Sequence, residues 1–219
     1  MIFIVLGPPA SGKGTQSKII SDQLNIPHIS TGDIFRWKVA NRKTEDSQVV
    51  KHYIDQGLLV PDELTIKILE ERISLDDCKN GFVLDGFPRT IIQVEALDKM
   101  LAKMGKSITL AIDLEVPDDE VVRRISGRRV CSCGKAYHID TVPPKVEGIC
   151  DVCGKKLTIR KDDTPKLVRI RLEAYKEQTE PIIQIYEKRG LITVLNGDQP
   201  QEAVTEDILK IISSYSLKI

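Results

Sequence analysis

Nine residues near the amino terminus, Gly7-Pro8-Pro9-Ala10-Ser11-Gly12-Lys13-Gly14-Thr15, follow an apolar run, Ile2 to Leu6, and precede a stretch with Ile19, Ile20 and Leu24 at helical spacing. A strand, a glycine-framed loop and a helix in that order aim several backbone N–H groups at one small volume, and the helix adds its positive end. Such a volume holds phosphate, and Lys13 supplies a mobile charge for the outer phosphates. The Gly-x-x-x-x-Gly-Lys spacing is met, but Gly14 stands where the strict motif has Ser or Thr, so Thr15 is the nearer hydroxyl for an accompanying metal. The competing reading, a plain glycine-rich turn, explains neither the fixed spacing nor the strand before and helix after.

Two further groups suit the same chemistry. Asp85 directly follows the apolar Phe82 to Leu84, at the carboxyl end of an expected parallel strand, where open α/β sheets collect ligands. A carboxylate there can hold Mg2+ through water; the alternative is a turn aspartate before Gly86. Arg36, Arg89, Arg124, Arg128, Arg160 and Arg171 lie on four separate segments. Any one of them alone reads as a surface residue, but as a set their guanidinium forks suit phosphate oxygens.

Four of the five cysteines crowd into one stretch: Cys131 and Cys133 one residue apart, sixteen residues between, then Cys150 and Cys153. In a reducing cytosol such a cluster turns toward metal, and four thiolates suit a closed tetrahedral zinc site that would staple a fold rather than do chemistry. His138 is the substitute ligand if one cysteine cannot reach; a metal-free segment and a disulfide are the other readings. Cys78 reads as a small core residue. His28, His52 and His138 share no motif with a serine or cysteine nucleophile and read as structural or solvent-facing.

These residues need a scaffold. Apolar runs at Ile2 to Leu6, Phe82 to Leu84, Leu110 to Leu114 and Ile192 to Leu195 alternate with helical patterns such as Ile66, Leu69, Ile73 and Val204, Ile208, Ile211, Ile212, Tyr215. That rhythm predicts an α/β fold with a parallel sheet flanked by helices. Pro181 is expected to break the long helical segment before it, and Gly190 to stop a helix after Lys188 and Arg189. Two stretches depart from the rhythm: Ser30 to Pro61, polar and helical, and Gly127 to Pro165, loop-rich and carrying the cysteines. A chain of 219 residues fits one core with insertions. Its 32 basic and 32 acidic side chains exclude a polybasic protein. The longest apolar run, Met1 to Leu6, is far short of the ~20 residues needed to cross a bilayer, and it lacks a secretory signal's basic start, so the cytoplasm is the expected compartment.

With the loop in place, four further segments make the sequence resemble the adenylate kinases: Ser30-Thr31-Gly32-Asp33 with Arg36, Asp85-Gly86-Phe87-Pro88-Arg89-Thr90, Gly127-Arg128-Arg129-Val130, and Arg160-Lys161-Asp162-Asp163 with Arg171. The resemblance implies a P-loop core from residues 1–29, 61–126 and 165–219, an AMP-binding insertion at 30–60 and a lid at 127–164 that binds zinc. It implies reversible, Mg2+-dependent transfer of the terminal phosphoryl group of ATP to AMP, giving two ADP, in a monomer with no nucleic-acid or membrane partner.

By the same resemblance ATP would meet Ala10, Ser11, Gly12, Lys13, Gly14, Thr15, Arg124, Arg128, Ala136, Tyr137 and Gln199. AMP would meet Thr31, Arg36, Leu58, Leu59, Val60, Gly86, Phe87, Pro88, Arg89, Gln93, Arg160 and Arg171. Lys13, Arg89, Arg128, Arg160 and Arg171 would act on the transferring group, and Thr15 and Asp85 would stand near Mg2+. Cys131, Cys133, Cys150 and Cys153 would hold zinc, although many zinc-bearing relatives have CxxC at both ends and this chain's first pair is one residue shorter. Thr31 and Gln93 match adenine-accepting members; Thr31 also reads as the cap of a helix through Phe35.

Such chemistry needs positioning, charge neutralisation and dryness, and no side-chain nucleophile. One rival is a zinc-ribbon nucleic-acid module, prompted by Arg128, Arg129, Lys155, Lys156, Arg160 and Lys161 beside the cysteines; it leaves the loop and Asp85 unexplained. A second keeps the fold and changes the base or the phosphoryl donor. Trp37, beside Arg36, has no assigned part.

Overall fold

The computed structural model describes residues 1–216; the last three residues of the expected core segment 165–219 lie outside them. Five parallel strands form the central sheet in the order β2-β3-β1-β4-β7. They are β1 (Ile2–Leu6), β2 (His28–Ser30), β3 (Phe82–Asp85), β4 (Leu110–Glu115) and β7 (Ile192–Asn196). Four of the five match the apolar runs; β2 has only three residues, too few to show a period.

Helices cover both faces, so the strands read as continuous apolar runs rather than alternating ones. All five residues of β1 are buried. Phe3 and Val5 turn toward Ile20 of α1 (Lys13–Leu24) and Val204, Ile208 and Ile212 of α9 (Gln201–Ser216). Ile2, Ile4 and Leu6 turn the other way, toward Leu69 of α4 (Asp62–Ile73), Val94 and Leu97 of α5 (Ile91–Lys103), and Ile182 and Tyr186 of α8 (Glu180–Lys188). Each such side chain contributes roughly 1.5–3 kcal/mol by leaving water. Cys78 is fully buried in the second cluster, as expected of a small core residue.

Between β2 and α4 stand α2 (Thr31–Asn41) and α3 (Glu45–Asp55). They close a small apolar cluster of Phe35, Val50, Val60 and Ile68. The cap of α2 is Ser30, whose hydroxyl accepts the Asp33 N–H at 3.3 Å, and not Thr31 as the capping reading had it. After α6 (Asp118–Gly127) the chain forms a two-stranded antiparallel ribbon, β5 (Arg128–Val130) with β6 (Ala136–His138), and returns to the sheet region through α7 (Pro165–Ala174). A Cβ at Gly127 would lie 2.1 Å from His138 Nε2, so only glycine admits the imidazole that packs on this junction.

Pro181 does not break the helical run. Tyr175–Thr179 forms a π turn between α7 and α8, and Glu180 N–H reaches back to the Tyr175 carbonyl. A proline has no N–H to continue the α pattern, and one residue of extra winding before it absorbs the mismatch. The predicted stop at Gly190 holds, with α8 ending at Lys188.

Candidate active site

The loop after β1 is shaped by its own sequence. Gly12 sits at φ 98°, a left-handed conformation that caps α1 without a side chain. Lys13 folds back, its Nζ donating to the Gly7 and Pro8 carbonyls at 2.7 and 2.5 Å and lying 3.5 Å from Ser11 Oγ. Burial lowers the Lys13 pKa to about 7, although Asp85 nearby pulls the other way. An arriving phosphate would replace those carbonyls as the partner of the ammonium.

Asp85 ends β3 beside β1, in register with Val5. Burial opposes its ionisation, but the His28 hydrogen bond and the charges of Lys13 and Arg89 outweigh it and hold its pKa below the usual carboxylate range. His28 Nε2 stands 3.4 Å from Asp85 Oδ2, a contact that no motif in the sequence signals. A Cβ at Gly14 would lie 3.3 Å from Asp85 Oδ2, so the loop and the carboxylate face each other closely, and the larger Ser or Thr of the strict motif would crowd that gap.

The arginines converge from several elements. Arg36 is on α2, Arg89 in the turn after β3, Arg124 on α6, Arg128 on β5, Arg160 in the segment before α7 and Arg171 on α7. Burial, and then the charge of Arg171, lowers Arg89 to about 10; burial, and then Arg36 and Arg128, lowers Arg160 to about 10. Arg89 and Arg160 remain cationic at neutral pH although dehydrated, part of a field made for polyanions. Asp163, with a fully buried side chain, accepts from Arg128 and Arg171, and Asp162 lies 3.1 Å from Arg171.

One cleft of about 1330 Å³ joins these groups. The residues expected for ATP, Ala10 to Thr15, Arg124, Arg128, Ala136, Tyr137 and Gln199, line it, and so do Thr31, Arg36, Leu58, Leu59, Val60, Gly86, Pro88, Arg89 and Gln93, expected for AMP. Arg160, Arg171 and Asp85 also border it. Phe87 does not: it was expected at the AMP end, but its ring is fully buried in the core beneath the sheet, and only its neighbours Gly86 and Pro88 reach the cleft. The Phe87–Pro88 peptide is cis. Thr31 Oγ1 donates to the Gly86 carbonyl at 2.8 Å, which leaves that oxygen an acceptor. Thr179, in the π turn, donates to the Arg89 carbonyl at 3.0 Å and so braces that arginine's backbone.

The four cysteine sulfurs lie within 4.8 Å of one another. Zn–S bonds of about 2.3 Å place tetrahedral sulfurs about 3.8 Å apart, so the set fits the ion. Both loops turn on a glycine after the second cysteine, Gly134 and Gly154, and the shorter Cys131-Ser132-Cys133 pair still brings both sulfurs in. His138 is not needed: its Nδ1 accepts from the Asp140 and Thr141 N–H groups at 3.2 and 3.3 Å. The Tyr137 hydroxyl, 3.5 Å from Cys150 Sγ, holds that thiol below the usual range. Tyr137 therefore supports the cysteine cluster as well as bordering the cleft.

Sequence reasoning passed over Asp113, at the carboxyl side of β4 and buried, with Oδ1 unpartnered. The strand-end argument that found Asp85 applies to it equally. Trp37 is half exposed, with the Arg42 guanidinium 5.3 Å over its ring. Among the described residues no helix is long and apolar enough to cross a membrane.

The family model for adenylate kinase matches residues 5–191. The chain is 53% identical to an adenylate kinase of Lachnoclostridium phytofermentans over 217 residues, covering 99% of this chain and 100% of that one. It is 52% identical to one of Lachnospira eligens over 213 residues (97% and 100%) and 50% identical to one of Caldicellulosiruptor saccharolyticus over 211 residues (96% and 98%). A phosphate loop, a strand-end carboxylate and converging arginines around one cleft, in a sequence alike from end to end, place this chain in the adenylate kinase family.

Proposed function

We propose that this chain catalyses the reversible, Mg2+-dependent transfer of the terminal phosphoryl group of ATP to AMP, giving two ADP. The observation that carries the reading is that the Lys13 loop and Arg36, Arg89, Arg160 and Arg171 line one and the same cleft. Two anionic substrates can meet there end to end.

The chain's part is to hold, neutralise and dry. Backbone N–H groups of Ala10 to Thr15 and the start of α1 take the ATP phosphates, with Lys13 moving from its own loop carbonyls onto the outer ones. Arg36 and Arg89 grip the AMP phosphate. Arg128, Arg160 and Arg171 offset charge on the group in transfer, where donors fixed in advance are worth most. Thr15 and the ionised Asp85 are hard oxygen donors that would hold Mg2+, whose charge would offset that of the phosphates. No nucleophile or general base is required of the protein.

Residues 30–60 are read as the AMP-binding insertion, 127–164 as the lid, and 1–29, 61–126 and 165–219 as the core. The lid's closure would exclude water, the competing acceptor. Cys131, Cys133, Cys150 and Cys153 would hold a zinc ion with no open position, which ties the lid's loops together. Thr31, Gln93 and the Leu58 to Val60 backbone suit adenine. Arg124, Ala136, Tyr137 and Gln199 are assigned to the ATP end. A monomer in the cytoplasm, serving nucleotide balance, completes the reading. ADP formed from ATP, AMP and Mg2+, and lost in Lys13→Met, is the test; no ADP from the unaltered protein rejects it.

A further inference from the structure

Asp62 opens α4 and does not border the cleft, yet it is bonded to a residue that does. Its Oδ1 accepts from Gln93 Nε2 at 2.7 Å and from Thr90 Oγ1 at 3.0 Å. On the other side Gln93 Oε1 accepts from the Arg89 N–H at 2.7 Å. Gln93 is 1% exposed, so water is a poor replacement for a lost partner.

A primary amide offers two N–H donors and two carbonyl lone pairs. Asp62 Oδ1 accepts and the Arg89 N–H donates, so one orientation of the Gln93 amide satisfies both and the flipped one satisfies neither. One N–H and one lone pair remain for a ligand. Adenine carries an amino donor at C6 with a ring-nitrogen acceptor beside it. Hypoxanthine reverses that edge, with a carbonyl at C6 and an N–H at N1.

We propose that Asp62 is a positioning residue that fixes the Gln93 amide for adenine and against 6-oxopurines. The proposal rests on the AMP-acceptor reading above and adds the residue that sets its base preference. Asp62 acts through Gln93 and touches no substrate.

The experiment compares kcat and KM for AMP and for IMP, at saturating ATP, in the unaltered chain, Asp62→Ala, Asp62→Asn, Gln93→Ala and the Asp62→Ala/Gln93→Ala pair. A site that pairs with a substrate's polar edge rejects the mismatched analogue strongly, so the unaltered chain is expected to prefer AMP by at least about a hundredfold. In Asp62→Ala the AMP KM is expected to rise and the AMP-to-IMP ratio to fall by roughly tenfold or more, with the ATP KM held. Asp62→Asn, whose carbonyl still accepts from both partners, is expected to keep most of the ratio. Asp62→Ala is expected to change nothing further once Gln93 is alanine, the mark of two residues acting as one unit.

An unchanged ratio in Asp62→Ala, an ATP KM that rises in step, or additive effects in the pair would overturn it. If Asp62→Ala does not fold, Asp62→Glu, which moves the carboxylate by one methylene, carries the same expectations. An unaltered chain that phosphorylates neither nucleotide rejects the acceptor reading and this proposal with it; an active chain whose ratio ignores Asp62 rejects this proposal alone.

Discussion

Arg128 and Asp163 pair across the root of the cysteine-bearing segment: Arg128 Nε donates to Asp163 Oδ2 at 2.8 Å, and the two residues are 35 positions apart in the chain. The bond joins the segment's entrance to its exit. The same carboxylate takes Arg171 Nη1 at 3.3 Å, so one buried acid balances two guanidinium groups. Removing it strands Arg128 and leaves Arg171 with Asp162 alone. For Asp163→Ala a loss of about 3 kcal/mol or more is expected, which in a chain of this size lowers Tm by roughly 6–12 °C. Scanning calorimetry at low salt checks it; a Tm within a degree of the unaltered protein contradicts this account of the root.

Lys13 gives a proton-linked binding signature. In the free protein its pKa is lowered to about 7, chiefly by burial. Phosphates favour the ammonium and raise that value. Between the two values nucleotide binding takes up protons, and the affinity for ATP falls as pH rises above 7. Calorimetry at pH 8 in buffers of different ionisation enthalpy should show the uptake, and Lys13→Arg should abolish it because a guanidinium stays charged. Binding heat independent of the buffer contradicts the assignment.

Asp113 should cost stability at neutral pH. Burial, and then the charge of Glu115, raises its pKa to about 6, against about 3.9 in an unfolded chain. The folded state then binds the proton more tightly, so stability falls as pH rises from about 4 through 6, by up to about 3 kcal/mol. Asp113→Asn is expected to melt higher than the unaltered chain at pH 8, with the difference closing near pH 4. Parallel melting curves across that range would show that the carboxyl titrates normally.

The cysteine cluster should contain one zinc ion per chain by metal analysis. Removing it with a strong chelator, or substituting Cys150→Ser, is expected to lower Tm, and activity should fall as the lid loosens. Restoring zinc should recover both in the chelated protein and neither in the variant. Purified protein without zinc, melting unchanged in chelator, would remove the metal from the lid.

Much of this was legible because the signals are local. The phosphate loop and its lysine, four of five central strands and the cysteine spacing are each written in a few adjacent residues. β2 escaped because three residues carry no period and its pairing with β3 is a tertiary fact. The inward turn of the Phe87 ring escaped because a motif fixes neighbours in sequence, while the turn after β3 decides which side chain enters the core. Thr31 lost the cap to Ser30 because both hydroxyls precede the helix and one backbone angle chooses between them. The Asp62 contact to Gln93 and the His28 contact to Asp85 depend on segments far apart in the chain, which no spacing rule connects, whereas Asp113 lay within reach of the strand-end argument that found Asp85.

The π turn at Tyr175–Thr179 leaves a mark on how this chain can vary. Its surplus residue is taken up within one wide turn, so the helices on either side keep the phase that an unbroken α-helix would give them. Deleting one residue there would restore ordinary winding with Ile182 and Tyr186 still in the hydrophobic interior, whereas the same deletion inside α8 would swing everything after it by about 100°. The turn can therefore give up a residue at less cost than the helices beside it, so long as Thr179, which braces Arg89, is kept.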